Sequence, residues 1–384
     1  MIPYGRQDIR QSDIESVVEV LNSDWLTQGP AVPRFESVVA DYCGVRHAVA
    51  VNSATSALHL ACLALGLGPG DILWTSPNTF VASANCARYC GAEVDFVDID
   101  PDTYNLCIKA LAAKLETAER DGRLPKVLVP VHFSGQSCPM EEIRELANRY
   151  GFRIIEDASH AIGGKYLGLP VGSCCFSDIT VFSFHPVKVV TSGEGGMAVT
   201  NDFSLHEKMA LLRSHGIIRD LQRMEEDPHG GWYYQQIELG YNYRLTDIQA
   251  ALGLSQLSRL DEYVQRRNEL ARRYDSMLVG LPLQTPSVSP VSYSAFHLYV
   301  IRIKSQKHGR RQIFDALRAE GIGVNVHYIP VHTQPYYRQR GFRQGDFPVA
   351  EAYYEEAVSL PMYPTLTDTQ QEEIVKALRS AINK

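Results

Sequence analysis

One pattern governs the first half of the chain: a short apolar segment, then a helix, then another short apolar segment. Ala48-Val49-Ala50-Val51-Asn52 reads as a buried strand, and Ser53-Ala54-Thr55-Ser56-Ala57-Leu58 opens a helical segment that ends near Gly66. Further strands are expected at Ile72–Trp74, Val94–Val97, Val127–Val131, Arg153–Glu156, Thr180–Phe182 and Met197–Thr200, with helices between several of them, such as Glu141–Tyr150. Strands alternating with helices imply an α/β fold with a mainly parallel sheet covered on both faces. In an open sheet of this kind the strand ends converge on one crevice. The residues just beyond the strands therefore carry the functional information.

Three of those segments belong together. The strand Arg153–Glu156 runs into Asp157-Ala158-Ser159-His160. The next runs into Ser183-Phe184-His185-Pro186-Val187-Lys188, and Thr191-Ser192-Gly193-Glu194-Gly195-Gly196 leads into Met197-Ala198-Val199. An acid, a hydroxyl and a lysine at neighbouring strand ends are what pyridoxal phosphate (PLP) requires: an amine to condense with its aldehyde, a carboxylate to keep the pyridine nitrogen protonated, and small donors for its phosphate. The Asn52–Ala57 stretch offers such donors, because a helix N-terminus presents unpaired N–H groups and a favourable dipole to an anion. No Gly-x-Gly-x-x-Gly follows the first strand, which weighs against a nicotinamide or flavin domain.

Composition agrees with a soluble enzyme. With 384 residues the chain is too long for one small core, so a large domain and a smaller one are expected. A net charge of −7 gives no electrostatic reason for nucleic acid or an anionic membrane as partner. No apolar run approaches the ~20 residues needed to span a bilayer, and the N-terminus lacks a signal-peptide pattern. A cytoplasmic location follows as the default. The 8 cysteines contain no Cys-x-x-Cys pair, so no metal is expected and buried thiols in a reducing compartment are the better reading, with vicinal Cys174-Cys175 the pair to watch.

In the flanks, Ser12-Asp13-Ile14-Glu15 has the form of a capping box, with Val17, Val18, Val20 and Leu21 as a helical apolar face. A long helical stretch is expected from Thr246 to about Val279, then a Pro- and Ser-rich loop from Leu281 to Ser292. A strand at His297–Arg302, a helix at Arg311–Glu320, a strand at Val324–Tyr328 and two final helices make a small α/β unit.

The motifs Asp-x-x-His, Ser-Phe-His-Pro-x-Lys and Gly-Glu-Gly-Gly resemble those of the DegT/DnrJ/EryC1/StrS sugar aminotransferases, within fold type I of the PLP enzymes (aspartate aminotransferase-like). The resemblance covers nearly the whole chain. It implies a large PLP-binding domain over 1–250, whose N-terminal segment lines the substrate pocket, and a small C-terminal domain over 251–384. Lys188 then takes the cofactor and shuttles the proton, Asp157 pairs with the pyridinium nitrogen, and His160 supports Asp157 or reaches the ring hydroxyl. Ala54 and Thr55 contact the phosphate through their backbone, Ser183 adds a hydroxyl, and Phe80 stacks on the ring. Asn242 reaches the phosphate in a neighbouring subunit, which implies a homodimer with shared active sites. Tyr4, Asp24, Trp25, Leu26, Thr27, Ala54, Ser183, Asn242, Asn325, Val326, His327 and Tyr328 are the implied substrate contacts. Trp25 or Tyr328 packs against a sugar or base, and His185 is a further polar candidate.

By the same resemblance the substrates are L-glutamate and a nucleotide keto-sugar. The N-terminal loop and Val326-His327-Tyr328 look most like the branch that aminates C4 of UDP-2-acetamido-2,6-dideoxy-β-L-arabino-hexos-4-ulose on the route to pseudaminic acid. Competing substrates are a UDP-4-keto-pentose and a dTDP-linked 4-keto-6-deoxyhexose, and a PLP-binding regulatory protein without turnover is the alternative of another class. Arg219, Arg244 and Lys165 are candidates for the diphosphate.

Overall fold

The computed structural model describes residues 1–305 and 307–383; the last residue of the expected C-terminal domain, Lys384, lies outside them. Two helices, α1 (Gln11–Leu21) and α2 (Ala31–Cys43), precede the first strand, β1 (His47–Val51). The chain then alternates α3 (Ala54–Ala64), β2 (Ile72–Thr75), α4 (Ala82–Tyr89), β3 (Glu93–Phe96), α5 (Ile108–Arg120), β4 (Val127–Val129), α6 (Met140–Tyr150) and β5 (Arg153–Asp157). After a hairpin of β6 (Lys165–Tyr166) and β7 (Leu169–Pro170) come β8 (Ile179–Ser183), β9 (Gly196–Thr200) and α7 (Phe203–Arg213). The central sheet has seven strands in the order β1-β9-β8-β5-β4-β2-β3. From β8 through β5, β4 and β2 to β3 every pairing is parallel, and β9 alone runs against both its neighbours. The sheet is therefore mainly parallel, as the alternation implied.

Both faces of the sheet are buried, which is why its strands read as continuous apolar runs. In β1, Val49 and Val51 pack with α3, while Ala48 and Ala50 face the other way with Phe35, Phe182, Phe184 and Met197. Helices α2 and α8 (Asp247–Leu257) cover that second face. They approach closely at Gly253, where a Cβ would lie 2.7 Å from the Phe35 ring.

The expected helix over 246–279 is two helices, α8 and α9 (Leu260–Leu278), broken at Ser258–Arg259. The break frees the Arg259 guanidinium to pair with buried Asp13 at 2.7 Å. This contact also explains the entry to α1. Its cap is not Ser12 but Arg10, whose N–H donates to Asp13 Oδ2 at 2.9 Å. Of the expected apolar face of α1, Val17 and Val20 are half-buried while Val18 and Leu21 are exposed in a single chain, as is Ile14.

Beyond α9, a three-stranded antiparallel sheet joins Leu283–Gln284, Tyr299–Ile303 and Ala357–Leu360. A separate core forms around it from Leu270, Tyr274, Ile301, Ile313, Ile374 and Leu378, and the N-terminal Ile2 enters this core. Val324–Tyr328 is extended but not a strand; only Asn325 bridges, to Ser359. The chain ends with helix Pro348–Glu356, strand Ala357–Leu360 and helix Asp368–Asn383, so a strand separates the two final helices. Among the described residues no helix is long and apolar enough to cross a membrane.

Candidate active site

The C-terminal ends of β1, β2, β5 and β8 open into one cavity of about 920 Å³, closed on its far side by Tyr4 and by Asn325–Tyr328. That size is ample for a cofactor together with a small substrate. Tyr4, Ala54, Thr55, Phe80, Asp157, His160, Ser183, Lys188, Asn325, Val326, His327 and Tyr328 line it, as does His185. These residues come from segments far apart in sequence, and the sheet order brings them together.

Asp157 closes β5 and is buried. Its Oδ1 accepts Ser159 N–H at 3.1 Å and Ser159 Oγ–H at 2.6 Å, and its Oδ2 accepts Ser83 Oγ–H at 2.7 Å. Such bonds orient the carboxylate. Immediately beneath it, Glu156 receives hydrogen bonds from Ser177 and Thr180 and pairs with His132 Nε2 at 2.6 Å, so the adjacent strand position is fixed as well. Lys188 lies in the loop between β8 and β9. Burial among protein groups lowers its ammonium from 10.5 to about 8, with the Asp157 charge opposing the shift. A lysine so tuned holds a useful fraction of free amine near neutrality.

The α3 N-terminus forms the second wall. Ser53 Oγ caps the helix by accepting Ser56 N–H at 3.1 Å, and Ser56 Oγ donates to Asn52 Oδ1 at 2.6 Å. The first-turn N–H groups of Ala54 and Thr55 have no intrahelical acceptor and border the cavity. The first residue of β9 packs against this turn: a Cβ on Gly196 would fall 2.4 Å from Ser53 C and 2.5 Å from Ala54 N. Phe80, at the entry to α4, is exposed to the cavity with its ring 6.3 Å from that of Tyr328.

Three histidines near the lysine are neutral. Burial and then the Lys188 charge press His327 down to about 3. His160 and His297 are held well below 6.5, burial again first. His160 does not bond to Asp157. Its Nδ1 accepts Ser134 N–H at 3.3 Å and its Nε2 meets Tyr328 Oη at 3.0 Å.

Other expected contacts lie elsewhere. Asn242 is exposed, bridging the backbone of Ser214, and Asp24, Trp25, Leu26 and Thr27 form an exposed loop tied to α8 through Leu26 O and Thr27. None of them lines the cavity of a single chain, nor do Lys165, Arg219 and Arg244. The reading missed Ser83, Ser159, Thr79, Glu194, Gln249 and His297. Ser159 stands inside the Asp157–His160 motif and was findable; Ser83 lies 74 positions from its acceptor and carried no sequence signal. Of the vicinal thiols, Cys174 is buried against Thr180 and Cys175 is exposed, and all eight cysteines are free.

The donor set fits pyridoxal phosphate: a lysine with a depressed pKa, an oriented carboxylate, an aromatic face, and a helix N-terminus with unpaired amides. Together with the seven-stranded sheet, it defines a fold type I PLP-dependent transferase. The DegT/DnrJ/EryC1/StrS aminotransferase family model matches residues 7–379, and the chain belongs to that family. It is 42% identical to the spore coat polysaccharide biosynthesis protein SpsC of Bacillus subtilis, over 99% of this chain and 97% of that one. It is 39% identical to a UDP-4-amino-4,6-dideoxy-N-acetyl-beta-L-altrosamine transaminase of Campylobacter jejuni, over 100% and 98% of the two chains. Among solved structures it is similar to Helicobacter pylori PseC, an aminotransferase involved in pseudoaminic acid biosynthesis (TM-score 0.89, 32% identity, 100% and 99% coverage). It is likewise similar to the putative sugar aminotransferase Spr1654 of Streptococcus pneumoniae, seen in its PMP-form (TM-score 0.90, 29% identity, 100% and 99% coverage). The protein is a PLP-dependent sugar aminotransferase.

Proposed function

We propose that it transfers the amino group of L-glutamate to C4 of a UDP-linked 4-keto-6-deoxy-N-acetyl hexose, UDP-2-acetamido-2,6-dideoxy-β-L-arabino-hexos-4-ulose. The observation that carries the aminotransferase chemistry is Lys188, free-amine-prone, in the same cavity as the oriented Asp157 carboxylate. The full-length similarity to the Campylobacter transaminase supports the sugar.

Bound in this cavity, pyridoxal phosphate supplies a protonated ring that withdraws electrons from the carbon bearing the amine. The chain's residues do the rest. Asp157, its other lone pairs held by Ser83 and Ser159, keeps one face for the ring nitrogen and stabilises its proton. Ala54 and Thr55 amides and Ser183 would hold the phosphate, and Phe80 would cover the ring. Lys188 Nζ, as a free amine, would take the proton from the amino-bearing carbon of the donor and hold it for return. His160, His297 and His327, held neutral by burial, do not compete with that amine for the proton. Tyr4, Asn325, Val326 and His327 lie where a sugar enters.

The site is completed by a second copy. Support comes from the exposed apolar residues Ile14, Val18, Leu21, Trp25 and Leu26 in one stretch and Trp232, Tyr234, Ile237 and Leu239 in another. Patches of this kind mark interfaces. A dimer covering them brings Asn242 and the Asp24–Thr27 loop to a neighbouring cavity. The eight free thiols support a reducing, cytoplasmic setting, and the separate core around the C-terminal sheet supports a small C-terminal domain, which takes up the chain from Leu270 after Leu260, Tyr263 and Val264 have packed into the large one.

A second reading, another nucleotide keto-sugar such as a UDP-4-keto-pentose or dTDP-4-keto-6-deoxyhexose, is favoured by the similar identity to the spore coat protein. One misplaced hydroxyl leaves a hydrogen bond unpaired and discriminates strongly between epimers. Assay of a panel of 4-keto sugar nucleotides with L-glutamate decides between them. Highest kcat/KM is expected with the UDP-linked N-acetyl hexosulose; preference for a pentose or dTDP-linked sugar refutes the assignment, and no turnover of any favours the regulatory alternative.

A further inference from the structure

We propose that Cys90 is a redox-modified cysteine: a hydroperoxide oxidises its sulfur, and Cys62 closes the product to a disulfide that ties α3 to α4 behind the active-site cavity. None of these residues takes part in the transfer chemistry.

Three thiols and one imidazole meet between the two helices. His59 and Cys62 lie on α3, Cys86 lies on α4, and Cys90 follows the last turn of α4. All four are buried, with Cys90 the most open at 9%. Cys62 lies within thiol hydrogen-bond reach of both Cys86 and Cys90, and Cys90 also of His59. Among the described residues no group of three or more such side chains is placed to hold a metal ion.

Proton counting gives each sulfur its own role. Cys86 Sγ–H donates to Ser83 O at 3.2 Å, so its proton is committed to the backbone. Cys62 then has its proton free to give to Cys90. His59 Nδ1 meets Tyr243 Oη at 3.2 Å, while its Nε2 is buried without a hydrogen bond of its own. A buried nitrogen left unpaired is costly. Taking the Cys90 proton removes that cost: both imidazolium nitrogens then donate, one to the phenol and one to the thiolate. Donation from Cys62 holds the Cys90 thiol below its ordinary 9.0, against burial, and His59 adds to the effect; Cys62 itself is pushed well up. A cysteine beside an imidazole with its thiolate so favoured is a reactive one, whereas a buried neutral thiol is inert. Cys90 is therefore the attacking sulfur and Cys62 the resolving one.

The chemistry balances with a hydroperoxide, ROOH, as the oxidant. The Cys90 thiolate attacks the terminal oxygen; an S–O bond forms, the O–O bond breaks, and the departing alkoxide leaves as ROH with the His59 Nε2 proton. Sulfur has lost two electrons and is a sulfenic acid. Cys62 Sγ attacks it; the S–S bond forms, the S–O bond breaks, and hydroxide leaves as water with the Cys62 proton. Reversible disulfides of this redox-sensing kind are the ones found in reducing compartments. An S–S bond of about 2.05 Å draws α3 and α4 together. The first turn of α3 borders the cavity with Ala54 and Thr55, and α4 carries Ser83, whose Oγ donates to Asp157 at 2.7 Å. A displacement of about 1 Å at such groups is enough to slow a reaction.

The test treats the PLP-loaded protein with hydrogen peroxide, blocks the remaining thiols and maps its peptides without reduction. A Cys62–Cys90 disulfide is expected, with aminotransferase activity lowered about tenfold or more, both reversed by dithiothreitol. Cys62→Ser should leave a sulfenic acid on Cys90 that dimedone traps, and Cys90→Ser should keep its activity through peroxide treatment. Exposed Cys175 is the internal standard and needs no variant: at neutral pH Cys90 should be oxidised faster by about tenfold or more. Oxidation of Cys175 ahead of Cys90, or a Cys62–Cys90 disulfide that forms only in urea, overturns the proposal. A disulfide that forms in the folded protein with activity unchanged supports the modification site and overturns its link to the cavity.

Discussion

Lys188→Met should stabilise the apo-protein at neutral pH. The amine falls from 10.5 to about 8 on folding, through burial, and at about 1.4 kcal/mol per pH unit this corresponds to at most about 3.5 kcal/mol of destabilisation wherever both states are protonated. The figure is an upper bound because Lys188 is half-buried and borders the cavity. The sign is fixed by proton counting: between pH 8 and 10.5 the unfolded lysine keeps a proton that the folded one has lost, so its contribution to stability rises with pH over that window. Methionine, similar in length and uncharged, removes the penalty. Urea unfolding of both apo-proteins from pH 7 to 10.5 measures the effect, since groups away from the cavity titrate alike in the two. We expect the variant to be more stable by about 1–3 kcal/mol at pH 7, with the difference shrinking toward pH 10.5. A variant equally or less stable at pH 7 would refute the claim that folding strips Lys188 of hydration.

Two further outcomes follow from the geometry. Gly196→Ala places a Cβ 2.4–2.5 Å from the Ser53–Ala54 backbone, which cannot rotate away; an overpacking cost of about 1–3 kcal/mol should weaken PLP affinity about tenfold or more in a fluorescence titration, while Gly68→Ala, meeting nothing within 4 Å, should not. Mixing inactive Lys188→Ala and Asn242→Ala proteins should restore activity in heterodimers if the partner completes the site; mixtures no more active than the parents would show each chain self-sufficient.

Much of the site was legible because its main residues directly follow strands. Asp157, Ser183 and the Ala54–Thr55 turn sit at strand ends, and a parallel sheet brings such ends together whatever the loops do. Ser83 was not legible, because a serine in the first turn of a helix looks like any other until the fold sets it against Asp157. The resemblance gives His160 as a support for Asp157 or a reach to the ring hydroxyl; the left-handed turn at Ser134, whose N–H meets its Nδ1, has no pattern in the sequence. Periodicity correctly gave α1 an apolar stripe, but it says only that the stripe is apolar, not whether the same chain covers it. The break in the 246–279 helix coincides with the pairing of Arg259 and Asp13, residues 246 positions apart.

The most direct test of the central claim is borohydride reduction of the PLP-loaded protein followed by peptide mapping, with a parallel sample treated first with L-glutamate. The account predicts a pyridoxyl group on Lys188 alone in the first sample and its loss in the second, as the amino donor frees the lysine. A label on another lysine, or one that L-glutamate leaves in place, would contradict it.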